Sequence, residues 1–282
     1  MTGSLRPLRL GIVPYLNVLP LLEGLEDSFP REHWVRGTPR ELAGMLERGE
    51  VDVAADSTFE GLRRAPRYRL VPGAAIGSAG PVRSVVLYSK APLDRVRTVR
   101  LDHASLTSIH LCRILLKEGH GLEPAFRTAP RPLTASEPWE ALPEDAFLVI
   151  GDAALALQGT FPFQLDLGEE WDRQAGGLPF VFAAWWVRQG LELSPEECAA
   201  FIRARQRGTA RLPRIAARLP GHETAPCGGA QGVVDYLANA VRYTLGPWEL
   251  EGLALFRDKL LRHGLLPHGV PEAPLACPAP VA

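Results

Sequence analysis

The chain has 282 residues, of which 46% are hydrophobic and 22% charged, and its formal net charge is −1. That is room for one large domain or two modest ones, with the composition of a soluble globular protein. It offers no basic field to draw in nucleic acid, no apolar run long enough to span a bilayer, and no apolar stretch with a cleavage site in MTGSLRPLRLG, so the expectation is a cytoplasmic protein with neither nucleic-acid nor membrane partners.

Residues 8–13 read as a short buried strand that runs into Pro14-Tyr15-Leu16-Asn17 and then a helix over 19–25. A strand ending in a Pro/Asn turn before a helix is where α/β proteins place ligands. Asn17 either caps that helix or presents an amide to a ligand. Thr38-Pro39-Arg40-Glu41 is a capping box with Pro at the first helical position, and the helix closes at Gly49. Residues 51–55 form the next buried strand, which leads into Asp56-Ser57-Thr58-Phe59-Glu60, a second strand–turn–helix junction.

Residues 70–76 and the β-branched SVVLYS at 84–89 read as strands, separated by a flexible turn at 77–81. A new unit begins with a strand at 98–101, followed by Asp102-His103-Ala104-Ser105-Leu106-Thr107-Ser108. A helix then carries Ile109, Cys112, Leu115 and Leu116 on one face. Residues 127–138 are Pro-rich and aperiodic. A strand at 146–150 meets Gly151-Asp152 and a short helix over 153–157; 164–167 is a weak strand, and 176–187 turns β-prone after its Gly/Pro start. Ser194-Pro195-Glu196-Glu197 opens a helix to about Gln206, two more helices cover 232–245 and 247–263, and residues 266–282 read as a Pro/Ala-rich mobile tail.

Two α/β lobes follow from this order: residues 1–86 with 184–265 in one, 90–180 in the other. The segments 84–89 and 181–187 are the natural crossings, and a ligand sits in the cleft between the lobes. A single doubly wound sheet with a helical tail is the alternative architecture. Cys112, Cys198, Cys227 and Cys277 are too dispersed for a zinc or disulfide framework and read as small core or surface residues, the histidines show no ligand spacing, and no nucleotide-binding fingerprint occurs.

Short polar residues gather at four junctions: Asn17; Ser57-Thr58; Ser105, Thr107 and Ser108; and Asp152. Hydroxyls and free N–H groups at helix N-termini favour anions, so a ligand with two carboxylates, one held by each lobe, fits. Each residue taken singly reads as well as a helix cap. Acid–base candidates are sparse. Glu60 lies one turn into its helix, and Asp152 opens another. His103 and His110 flank the hydroxyl-rich junction, with His110 reading as surface or core.

Gly11-Ile12-Val13-Pro14-Tyr15-Leu16-Asn17 resembles the opening of the MqnA family, the chorismate dehydratases of the futalosine route to menaquinone. The likeness continues, in order, through Gly49-Glu50-Val51-Asp52-Val53-Ala54, Ser57-Thr58-Phe59-Glu60, Gly80-Pro81-Val82-Arg83-Ser84-Val85, Leu106-Thr107-Ser108, Ile150-Gly151-Asp152-Ala153-Ala154-Leu155, Asp166-Leu167-Gly168 and Leu178-Pro179-Phe180-Val181-Phe182-Ala183. Ser57-Thr58 stands where that family often has Ser-Ser, so the hydroxyl survives. Tyr15-Leu16-Asn17 differs from the Ser-Pro-Cys-Pro-Asn type of turn that opens the later enzyme of similar fold.

The resemblance implies a two-lobed fold like type II periplasmic binding proteins, chorismate as the substrate and no redox cofactor or metal. It implies that Ser84 (through its backbone), Thr107 and Ser108 hold one carboxylate, that Ser57 and Thr58 hold the other or the hydroxyl, that Asn17 hydrogen-bonds the ring substituents near the reacting centre, and that Tyr15 contacts the substrate. Asp152 orients a polar group across the cleft. Glu60 is the best protein candidate for the base, with a carboxylate of the substrate as the alternative. A non-catalytic cytoplasmic binding protein for a small dicarboxylate is the competing function. Oligomeric state is not legible in the sequence.

Overall fold

The structure is a computed structural model that describes residues 5–277. Residues 1–4 and 278–282, which include the start of the N-terminal stretch and the end of the expected tail, lie outside the described residues. Ten strands occur among the described residues: β1 Leu10–Ile12, β2 Trp34–Arg36, β3 Val53–Ser57, β4 Arg69–Ser78, β5 Val85–Ser89, β6 Thr98–Leu101, β7 Ala125–Thr128, β8 Ala146–Ile150, β9 Phe163–Asp166 and β10 Phe180–Val187.

They form two five-stranded sheets, β2-β1-β3-β10-β4 and β7-β6-β8-β5-β9. In each, three neighbouring strands run parallel and the fourth runs antiparallel to both of its neighbours. The antiparallel strand follows a crossing: β5 opens the second lobe and β10 returns to the first. Every residue of β3 and β8 is buried, which is why both read as continuous apolar runs rather than alternating ones. The two-lobed α/β architecture is thus the observed one.

The expected crossings need correction. Residues 84–89 and 181–187 belong to inner strands of opposite sheets, and the chain passes between the lobes over 79–84 and 175–179. β-branched, fully apolar strands are too costly to leave spanning a gap, and the polar Gly/Pro segments beside them do that instead. Asp166 secures the first crossing. Its carboxylate accepts from Val82 N at 3.0 Å and Arg83 N at 2.6 Å while capping the helix Leu167–Gln174. The second crossing is packed from behind. Gly252, on the helix Pro247–Arg262, leaves room for the Pro179 carbonyl, which a Cβ there would meet at 1.9 Å. Trp171, Phe180 and Phe256 stack edge to face around it.

Both capping boxes form, with Glu41 returning to Thr38 N at 2.7 Å and Glu197 to Ser194 N at 2.6 Å. The helix expected over 232–245 ends at Asn239. Residues beyond it instead lie along β4, whose Gly73, Ala75 and Gly77 N–H groups bond the carbonyls of Leu245, Tyr243 and Arg242. The short edge strands β2 and β7 carry too few residues for a period and leave no mark in the sequence.

The tail also needs correction over 266–277. Leu70, at the other end of β4, donates to Pro274 O at 2.9 Å and accepts from Ala276 N at 2.8 Å, and Leu266 is buried. An open strand edge must find partners for its backbone groups, and the C-terminal segment supplies them. Cys277 then pairs with Cys198 in a disulfide across 79 residues, against the reading of four unpaired cysteines; Cys112 and Cys227 are free. Closing a loop of that length is worth about 4 kcal/mol by chain entropy, and native disulfides typically contribute about 2–4. Cys277→Ser should lower the unfolding free energy by roughly 2–4 kcal/mol in urea without reductant. Coincident urea curves would show that the bond contributes nothing.

Candidate functional site

The C-terminal ends of β1, β3, β6 and β8 open on the cleft, two from each lobe. After β1 the chain turns through Tyr15 into the one-turn helix Leu16–Val18. After β3, Ser57 caps the helix Thr58–Arg63 by accepting from Glu60 N at 3.4 Å. After β6, Thr107 opens the helix Thr107–His120, whose first N–H groups face the cleft without a side-chain cap. After β8, Gly151 starts the helix Gly151–Ala156 at a φ of 65°. A Cβ there would lie 2.6 Å from the Tyr15 ring, so glycine serves both the backbone turn and the approach of the lobes.

The lobes meet through polar contacts. Ser57 Oγ and Thr107 Oγ1 share a hydrogen bond of 2.7 Å, and Phe59 N donates to the same Thr107 oxygen at 3.2 Å. Leu16 N donates to Asp152 Oδ1 at 3.1 Å. Tyr236 donates its hydroxyl to Ser84 Oγ at 2.8 Å. Phe59 stacks on His110 with ring centroids 3.7 Å apart; burial, helped by Arg113 and Arg63, pushes that imidazole down to about 4 and keeps it neutral.

Between these contacts lies a cavity of about 70 Å³. Its polar wall comprises Tyr15, Asn17, Asp56, Ser57, Ser84, Ser105, Thr107 and Ser108, and its apolar wall includes Val13, Ile76, Ile150 and Phe182. Among the described residues no Arg, Lys or His lines it, which leaves hydroxyls and helix N-termini as its electropositive groups. The volume is less than half the ~150 Å³ that admits benzene to an engineered cavity, so a substituted ring requires the lobes to separate. Asn17 stands against the Tyr236 hydroxyl, and its Oδ1 is buried without a hydrogen-bond partner. A buried, unpaired amide oxygen is costly unless a ligand donor meets it.

Six sequence-predicted site residues share this cavity: Tyr15, Asn17, Ser57, Ser84, Thr107 and Ser108. Three do not line it. Thr58 is buried behind Ser57 with its hydroxyl unpaired. Glu60, the candidate base, lies off the cavity wall and is held by Arg63 at 2.6 and 3.1 Å with Arg64 at 3.9 Å, which ties up its carboxylate. Asp152 reaches the first lobe through Leu16 N rather than the cavity.

Two residues were missed. Tyr236 falls at helical spacing with Val233 and Leu237 and reads as core. Asp56 ends the apolar run of β3, and its sequence signal is a carboxylate inside an otherwise hydrophobic strand. It is 1% exposed and accepts a hydrogen bond from Ser57 N at 2.6 Å. Burial pushes its carboxyl well above the usual range; Glu60 adds to the push, and the Ser57 bond opposes it.

A family model described as menaquinone biosynthesis matches residues 8–261. The chain belongs to that family. The menaquinone-biosynthesis match covers both lobes and all four junctions. A curated relative, the chorismate dehydratase of Thermus thermophilus, is 30% identical over 97% of this chain and 100% of its own length. Among solved structures, protein AF1704 from Archaeoglobus fulgidus aligns with a TM-score of 0.63 at 18% identity, over 94% of this chain and 100% of that one. The periplasmic aliphatic sulphonate binding protein SsuA from Escherichia coli aligns with a TM-score of 0.61 at 14% identity, over 95% and 90%. These two likenesses concern the fold, which is that of periplasmic binding proteins.

In this family member the Asp152 contact makes the join between lobes sensitive to pH. Burial raises its carboxyl from 3.8 to about 6 against the pull of the Leu16 N–H. A raised carboxyl binds its proton more tightly folded than unfolded, so stability is present at low pH and lost as pH rises through about 6. Asp152→Asn keeps an acceptor for Leu16 N and removes the charge. Its melting temperature should exceed that of the wild type near about pH 8, by a difference worth about 2 kcal/mol, and converge with it as pH falls toward about 4. A variant that melts below the wild type at both ends would contradict this.

Proposed function

We propose that the protein is a chorismate dehydratase, a carbon–oxygen lyase that converts chorismate to 3-[(1-carboxyvinyl)oxy]benzoate and water in menaquinone biosynthesis. The observation that carries this reading is the meeting of Ser57 and Thr107, each at a helix N-terminus of a different lobe, beside Asn17 in a cation-free cavity. The likeness to the Thermus thermophilus enzyme over nearly the whole chain supports the same choice.

Chorismate carries two carboxylates, a hydroxyl at C4 and a hydrogen at C3 that its ring carboxylate acidifies through the alkene. Loss of that proton and of the hydroxyl makes the ring aromatic, so no electrons leave the substrate and no redox cofactor is required. The protein's share is to hold both carboxylates, align the C3–H bond and assist the departing oxygen. Thr107, Ser108 and the open N–H groups of their helix take one carboxylate, with Ser84 beside them. Ser57 takes the other or the hydroxyl by giving up its bond to Thr107. The unpaired oxygen of Asn17 accepts from a substituent of the ring, and the Tyr15 ring closes the wall beside Gly151. With Glu60 tied to Arg63, the proton from C3 passes to a carboxylate of the substrate itself. A cytoplasmic setting fits such a substrate; among the described residues no helix is long and apolar enough to cross a membrane.

Periplasmic binding proteins share this shape, so a non-catalytic binder of small dicarboxylates is the competing function, and turnover separates the two. Purified protein mixed with chorismate, with no added cofactor, should produce a new aromatic absorbance. Asn17→Ala should lower kcat/KM by about a hundredfold or more, the loss expected for a positioned hydrogen-bonding group. Glu60→Gln should stay within about threefold of the wild type, roughly 0.6 kcal/mol. Binding without conversion would favour the competing function, and an inactive Glu60→Gln would restore Glu60 as the base.

A further inference from the structure

We propose that Asp56, in its neutral carboxylic acid form, is the acid that protonates the departing hydroxyl. The proposal rests on the dehydratase reading and adds to it a catalytic residue that the sequence did not single out.

The geometry comes first. Asp56, the last residue but one of β3, lines the same cavity as Asn17 and Ser57 and is almost wholly buried. Two other carboxylates near the cleft, Asp102 and Asp152, do not line the cavity. Asp102 receives the N–H groups of Ala104 at 2.8 Å and Leu133 at 3.1 Å, and Asp152 that of Leu16. Among the described residues Asp56 receives only the N–H of Ser57, and no cation pairs with it.

Its surroundings favour the protonated form. Across the sheet Asp56 pairs with Ala184 of β10, and its neighbours along β3, Ala55 and Ser57, carry no charge either. The ionisable groups facing it are Glu60, from the helix Thr58–Arg63, and the Tyr68 hydroxyl. Glu60 is an anion and disfavours a second one beside it; its charge is offset by Arg63 and Arg64. A dicarboxylate bound in the cavity adds two more negative charges. Ionised, Asp56 would repel that substrate. Neutral, it adds an O–H donor to a wall that otherwise has only hydroxyls, an amide and backbone N–H groups.

The step balances without a co-reactant. The C3–H electron pair becomes the new ring π bond, the C4–O bond breaks, and the Asp56 proton joins the departing oxygen to make water. The C3 proton resides on the accepting carboxylate and restores the Asp56 acid, directly or through solvent. The net change is loss of one water.

An acid must hold its proton to act, so wild-type kcat should fall as pH rises through the value for Asp56, and a general base would give the opposite slope. Asp56→Asn keeps the shape and a donor but cannot release a proton. It should lower kcat by about 10²–10³-fold with KM changed by less than about threefold, and its kcat should lose the fall at high pH. A folded Asp56→Asn protein with kcat within about threefold of the wild type overturns the assignment and leaves the dehydratase reading intact. If the variant does not fold, the pH profile decides: a kcat that falls with rising pH in the wild type and still falls in Asp152→Asn supports the acid, and one that is flat or rising overturns it. A wild type that leaves chorismate unchanged removes the dehydratase reading, and this role with it.

Discussion

The hydrogen bond between Ser57 and Thr107 joins two helix N-termini that belong to different lobes. A helix N-terminus carries unpaired N–H groups and a partial positive charge, and two of them facing each other repel unless something electronegative lies between. In the closed arrangement the two hydroxyl oxygens fill that role, and Thr107 Oγ1 also accepts from Phe59 N. In the proposed function a carboxylate takes that place, in a cavity whose wall has no cationic side chain among the described residues. On that reading anion binding and lobe closure are one event, because the groups proposed to grip the anion also join the lobes.

A second constraint follows from the first. A cavity that binds anions through partial charges tolerates few ionised carboxylates of its own. The three acids around the cleft meet this constraint in different ways. Asp102 is stabilised by two backbone N–H groups, although burial still pushes it up to about 6. Asp152 spends its carboxylate on the other lobe. Asp56 has only one backbone bond, and burial raises its carboxyl above the usual range. Glu60, buried in the first turn of its helix and off the cavity wall, is neutralised by arginines.

The closed cleft is supported from behind by apolar packing. Trp171 of the second lobe meets Phe180 and Phe256 of the first, and Glu118 takes Lys259 and His263 across the same boundary. Asp166 clamps the crossing at Val82 and Arg83, and the next residue, Ser84, is already in the cavity wall. A change of lobe angle is therefore felt directly at the cavity wall.

The sequence by itself determined the two-lobed plan, the buried strands and the four polar junctions, because these depend on local rules: apolar runs, capping boxes and the turns that end strands. Asn17, Ser57 and Thr107 were legible as a set for the same reason, since short polar residues at strand ends advertise themselves. Only the tertiary structure decided which strand belonged to which sheet, since SVVLYS is equally good as a bridge or as an inner strand until its neighbours are known. It also decided that residues 274–276 and 242–245 cover the open edge of β4, that Cys198 meets Cys277, and that Glu60 finds Arg63. Asp56 and Tyr236 stayed hidden because a carboxyl in an apolar strand and a phenol on an apolar helix face gain their chemistry from burial and from distant partners. Neither burial nor distant partners can be read from adjacent residues.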